Sequence, residues 1–218
     1  MLIITNFKTY DSALGQKAIA LASVHEEVMQ NTNITFGVAP SALDLSAVNS
    51  QCQKVKVFAQ HIDAADYGSF TGKIPPTALK KIGVYGTILN HSENRLEINY
   101  LKQCVQKAKE AGLVVVICAE TVAEGVSFLK FNPDFIAVEP PELIGGDISV
   151  ATANPDIIQD AVQQIGSNKV IVGAGIKNAE DVKIAKKLGA SGILLASGVT
   201  KAENPKLVLE DLAKGATA

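Results

Sequence analysis

The stretch Val114-Val115-Val116-Ile117-Cys118-Ala119-Glu120-Thr121-Val122-Ala123-Glu124 holds a strand, a turn and the start of a helix in succession. Four consecutive β-branched residues favour extended backbone, and a run apolar on both faces belongs to a strand covered on both sides. Thr121-x-x-Glu124 then reads as a capping box, in which the threonine side chain accepts from an otherwise unpaired N–H of the first helical turn. The unit is a buried strand feeding a helix.

Short apolar runs of the same kind recur along the chain. They begin at Leu2-Ile3-Ile4, Ile34-Thr35-Phe36, Lys56-Val57-Phe58, Val84-Tyr85-Gly86, Val114-Val115-Val116, Phe135-Ile136-Ala137, Val170-Ile171-Val172 and Ile193-Leu194-Leu195. Each is followed by a segment whose apolar residues recur at three and four positions, the period of a helix with one buried face. Asn154-Pro155 and Asn204-Pro205 place a capping side chain before a proline at the first helical position, where its missing N–H costs nothing. Eight strict alternations favour a closed (β/α)8 barrel over an open doubly wound sheet. No linker or low-complexity tract interrupts them, so residues 1–218 are expected to form a single domain.

The rest of the composition narrows the function by exclusion. Apolar residues make up 47% and charged residues 19%, a globular balance without room for a long disordered tail. Twenty Lys and Arg against 22 Asp and Glu give a formal charge of −2, so no general attraction to nucleic acid or an anionic membrane is expected. The N-terminus lacks a signal peptide's basic region, and the longest apolar stretch, Leu113 to Ala119, is far short of the roughly 20 residues of a membrane span. Cys52, Cys104 and Cys118 have neither disulfide-framework nor zinc spacing. A reducing cytoplasm and a metal-free site fit best.

A barrel of this kind places its chemistry at the C-terminal ends of the strands. After the first run come Asn6 and Lys8; after the fourth, Asn90-His91-Ser92-Glu93; after the sixth, Glu139-Pro140; after the seventh, Gly173-Ala174-Gly175; after the eighth, Ala196-Ser197-Gly198. Taken singly, each has an ordinary explanation: a solvated carboxylate, a surface lysine, a structural histidine, a glycine turn. That ordinary reading is kept for His25, in a helical segment, and for His61. Gly173-x-Gly175 does not read as a dinucleotide fingerprint, because Asn178 replaces the third glycine and the strand is the seventh. Glycines there let the backbone approach a phosphate.

Taken together, Asn6-x-Lys8, Asn90-His91-Ser92-Glu93-Asn94-Arg95 and Ala137-Val138-Glu139-Pro140 resemble the signature motifs of the triosephosphate isomerase family, in order and spacing, over nearly the whole chain. Its short length and the run Glu139-Pro140-Pro141-Glu142-Leu143-Ile144-Gly145 resemble the compact, archaeal-type branch, which is commonly tetrameric. Two departures stand out: Val172-Gly173-Ala174-Gly175 replaces the usual Tyr-Gly-Gly-Ser of loop seven, and the flexible loop lacks its tryptophan. Phosphate binding at loop seven is therefore expected to rely on backbone N–H groups.

The resemblance implies a TIM barrel and interconversion of D-glyceraldehyde 3-phosphate and dihydroxyacetone phosphate through an enediolate, without metal or organic cofactor. The family is itself a standard example of a carboxylate base working beside a neutral imidazole under a closing loop. On that pattern Glu139 is the base. His91 is the electrophile, neutral at the start of a short helix, while Lys8 supplies a fixed cation and Asn6 orients a substrate oxygen. Gly175, Ala196 and Ser197 take the phosphate, and Ile144 and Gly145 close over it as a lid. Ser92 would hold Glu139 in the open site, and Glu93 would pair with Lys8. The segment from Ala59-Gln60 to Gly72 resembles the family's third loop, whose Thr71 would approach the active site of a partner in a homo-oligomer. A sugar-phosphate epimerase or biosynthetic isomerase would explain loops seven and eight but not Asn6, Lys8, His91 and Glu139 together. A non-catalytic phosphosugar-binding protein would not need all four.

Overall fold

The structure, a computed structural model, describes residues 1–140 and 150–218. The expected lid residues Ile144 and Gly145 lie outside the described residues. Eight parallel strands close into one barrel: β1 (Leu2–Asn6), β2 (Thr35–Ala39), β3 (Lys56–Ala59), β4 (Gly86–Leu89), β5 (Val114–Ala119), β6 (Phe135–Val138), β7 (Val170–Gly173) and β8 (Gly192–Leu195). Leu2 pairs with Thr35 on one side and Gly192 on the other, so β1 shuts the ring against β8. The expected fold is therefore the observed one.

The strand period of two divides the apolar residues between two cores. Ile4, Phe58, Ile88, Val116, Ala137, Ile171 and Leu194 fill the barrel interior. Their neighbours Ile3, Val57, Leu89, Val115, Ile136, Val170 and Ile193 point outward into the layer shared with the helices. Phe58 is the bulkiest interior side chain, and the two flanking strands yield space to it. A methyl at Gly37 would lie 2.9 Å from its ring, and one at Gly86 only 2.7 Å. These glycines are set by packing within the barrel.

The principal outer helices are α1 (Gln16–Gln30), α2 (Leu45–Gln51), α3 (Pro76–Lys81), α4 (Ile98–Glu110), α5 (Val122–Phe128), α6 (Val150–Ala153), α7 (Pro155–Ile165), α8 (Ala179–Lys187), α9 (Ser197–Thr200) and α10 (Pro205–Thr217). Thr121 accepts from the Glu124 N–H as expected, but the Glu124 carboxylate reaches back to the N–H of Glu120 instead of Thr121. Asn204 caps α10 through the Leu207 N–H, whereas Asn154 makes no side-chain cap on α7. Proline opens both helices, so its fixed φ still supports the start of α7 without the cap.

His25 is structural, as its position suggested. Its Nδ1 donates to the Leu21 carbonyl and its Nε2 accepts from the Thr5 hydroxyl, each at 2.8 Å, between Phe7 and Phe36. Burial holds its pKa down at about 4. All three cysteines are free thiols. Among the described residues, no helix is long and apolar enough to cross a membrane.

Candidate active site

Side chains from the ends of β1, β4 and β6 meet in one cavity at the C-terminal mouth of the barrel. Its walls include Asn6, Lys8, His91 and Glu139 together with Gly175, Lys177, Ala196 and Ser197. Residues separated by more than 130 positions thus come together because parallel strands all end at the same face.

Lys8 sits in the left-handed region at φ 49°, a conformation that costs a side-chain-bearing residue energy and must be held by its surroundings. Its N–H donates to Asn6 Oδ1 at 3.0 Å, and Gln60 Nε2 donates to its carbonyl at 3.0 Å and to that of Ala39 at 2.9 Å. The bend aims the ammonium at the mouth, where Nζ pairs with Glu93 Oε1 at 2.7 Å. The Glu93 partnership agrees with the family resemblance. The clamp by Gln60 is a contact between distant strand ends, and nothing in the local sequence marks it.

His91 departs from expectation in its setting. It is followed by a turn, closed by the Asn94 N–H on the His91 carbonyl, and no short helix forms there. The turn stops because the Leu96 N–H is taken by the Asn90 side chain. A main-chain donor still fixes the ring: the Glu93 N–H donates to Nδ1 at 3.1 Å. Since Nδ1 accepts, the hydrogen of the neutral ring lies on Nε2, the atom that faces the mouth.

Glu139 is buried, and its Oε2 stands 3.8 Å from His91 Nε2 with no hydrogen-bond partner among the described residues. Ser92 therefore does not hold that oxygen; the carboxylate is turned toward the imidazole. Burial raises the Glu139 pKa above the ordinary carboxylate value, against the opposing pull of His91, the Cys118 thiol hydrogen bond and Lys8. A buried, incompletely solvated carboxylate is a stronger base than one in water. This is what removal of a proton from carbon needs.

Gly173 makes room for that carboxylate. A methyl at this position would stand 2.3 Å from Glu139 Cγ and 2.6 Å from Oε1. Its φ is not among the left-handed values, so alanine is conformationally admissible and the collision falls on the Glu139 side chain. Gly173→Ala is expected to fold and to lose about 10²-fold in kcat, the cost of misplacing a reacting group by roughly 1 Å. Steady-state assay beside a thermal melt measures both. Loop seven then turns through Ala174 and Gly175 at φ 73° and 72°. Thr71 is exposed on the third loop and does not line the cavity of its own chain.

A closed parallel barrel with a buried carboxylate and an imidazole facing each other beside a lysine is the arrangement of a barrel enzyme suited to proton transfer at carbon. The family model described as triosephosphate isomerase matches residues 1–215, and the chain belongs to that family. It is 42% identical over 218 residues to the triosephosphate isomerase of Methanocaldococcus jannaschii, covering 98% of this chain and 99% of the relative. The corresponding enzymes of Methanosarcina acetivorans and Methanothermobacter thermautotrophicus are 41% and 40% identical; each match covers 97% of this chain, and 97% and 93% of the respective relatives. The protein is an intramolecular aldose–ketose isomerase of phosphorylated trioses, as its motifs implied.

Proposed function

We propose that Glu139, His91, Lys8 and Asn6 interconvert D-glyceraldehyde 3-phosphate and dihydroxyacetone phosphate, in glycolysis and gluconeogenesis, with residues 1–218 acting as one domain. The observation that supports these roles is the apposition of Glu139 Oε2 and His91 Nε2 at 3.8 Å, both side chains buried. Glu139 takes the proton from the carbon beside the carbonyl. The electron pair left behind moves to the carbonyl oxygen, which takes a hydrogen bond and then a proton from His91 Nε2. His91 recovers a proton from the neighbouring hydroxyl, and Glu139 returns its own to the other carbon. Lys8 stabilises the oxyanion and the phosphate, and Asn6 orients the substrate oxygen.

Gly175, Ala196 and Ser197 form the phosphate end of this reading. Ser197 opens α9, where the first main-chain N–H groups have no helical acceptor and are available to an anion. Ile144 and Gly145 are assigned to the lid by resemblance alone. Dihydroxyacetone phosphate incubated with the protein in heavy water is expected to gain deuterium on the carbon bearing its free hydroxyl. Absence of exchange would reject the assigned chemistry.

A homo-oligomer, a tetramer built from dimers, is part of the same proposal. Tyr67 is 65% exposed and Phe70 41% on the third loop, around Thr71, and Leu43 projects at 92%. A second hollow beside the site, walled by Lys8, Gln60, His61 and Asn94, is where a partner's third loop would enter. Light scattering is expected to give a mass of four chains; a monomer that retains full turnover contradicts it. The three free thiols fit a cytoplasmic setting.

A further inference from the structure

We propose that Asn90 is a positioning residue that sets the separation of His91 and Glu139, by tying the turn that bears His91 to the end of β5. The inference rests on the roles given to those two residues above.

Asn90 is 2% exposed and adopts φ 61°. Non-glycine residues seldom enter this left-handed region, and asparagine is among the least penalised there. The conformation turns the chain out of β4 one residue before His91. Both ends of the amide are engaged, and in different directions. Nδ2 donates to the Cys118 carbonyl at 3.0 Å, and Oδ1 accepts from the Leu96 N–H at 3.0 Å. The first bond holds the turn against the neighbouring strand. The second fixes the far end of the same turn.

The main-chain ladder between β4 and β5 pairs residues only as far as Leu89 with Ile117. The Asn90 side chain continues the cross-strand link where the backbone bends away. What it grips is the segment that also holds Glu139: the Ala119 carbonyl accepts from the Glu139 N–H at 2.9 Å. One buried amide thus stands between the strand supporting the base and the turn supporting the electrophile. Asn90 is absent from the cavity wall, so it acts through these neighbours.

Asn90→Gly keeps the left-handed backbone accessible and deletes both hydrogen bonds. It is expected to lower kcat by about tenfold or more with KM for glyceraldehyde 3-phosphate little changed, since tenfold corresponds to only about 1.4 kcal/mol of misalignment. Binding of 2-phosphoglycolate, whose carboxylate must fit between Glu139 and His91, should weaken to a similar extent while inhibition by inorganic phosphate is unchanged. A kcat within about twofold of the unsubstituted enzyme, or phosphate binding lost in step with phosphoglycolate, overturns the role.

Asn90→Asp tests the same claim if the glycine variant does not fold. It retains the acceptor for Leu96 and loses the donor to Cys118. Its kcat should also fall, and the added carboxylate should move the acid limb of kcat/KM to higher pH; an unchanged rate and profile overturns the role. Glu139→Gln and His91→Gln belong in the same assay. If they abolish turnover while the Asn90 variants do not, only the role of Asn90 falls; if they too keep full turnover, the assignment of the site falls with it.

Discussion

Glu139→Gln is expected to lower kcat/KM by about 10²–10⁴-fold, the contribution of one well-placed general base. The amide fills nearly the same volume and cannot take a proton from carbon. The effect on stability should have the opposite sign. Burial raises the Glu139 pKa in the fold, so the folded state prefers the neutral form, and stability is lost progressively as the pH rises from the ordinary carboxylate value through the raised one. The unsubstituted protein should therefore gain stability relative to Glu139→Gln as the pH falls through that range. At neutral pH the variant, with no charge to bury, is expected to melt a few degrees higher. The same raised pKa places the acid limb of the wild-type kcat/KM profile above the range of a free carboxylate. Melting curves at several pH values and a coupled rate assay test both halves. An inactive variant that is also less stable at neutral pH would contradict the desolvated-base picture.

Lys8→Met is expected to cost the second-largest factor, about 10³ in kcat/KM. An opposite charge at contact range is worth roughly 4 kcal/mol at an effective dielectric near 20, and partial exposure of the mouth reduces that figure. Removing the ammonium also leaves Glu93, now 2.7 Å from Nζ, as an unpaired negative charge facing an anionic substrate. Both terms act on phosphate and oxyanion, so KM should rise and kcat fall. Lys8→Arg retains the charge but places a broad planar fork where a compact cation is held by the left-handed bend at Lys8, and recovery should be partial. Equal kcat/KM in Lys8→Met and the unsubstituted enzyme would remove Lys8 from the chemistry.

The strands and the barrel were legible in the sequence because their signals are local. β-branched runs announce buried strands, and Thr121 and Asn204 announce helix starts with side chains three residues from their targets. Strand edges shifted slightly: Tyr85, expected inside the fourth run, precedes β4, although its N–H and carbonyl already bond to Val57 and Val114. Lys8, His91 and Glu139 were legible as a set through their order along the chain. What surrounds them was not. The expected helix at His91 gives way to a turn, because the Asn90 side chain captures the Leu96 N–H, a competition no periodicity reveals. Gln60 under Lys8, Gly173 beside Glu139 and Asn90 against Cys118 act across strand ends, and only the closed sheet brings them into contact. The sequence pattern around Asn154 promised a cap that the fold does not use.

The central claim is that Glu139 and His91 grip the two sides of the reacting carbon–oxygen unit while loops seven and eight hold the phosphate. A crystal structure with 2-phosphoglycolate, whose carboxylate mimics the enediolate, tests it most directly. That carboxylate is expected within hydrogen-bonding distance of both Glu139 and His91 Nε2, with the phosphate against Gly175 and Ser197. A carboxylate bound away from either side chain, or a phosphate seated elsewhere in the mouth, would contradict it.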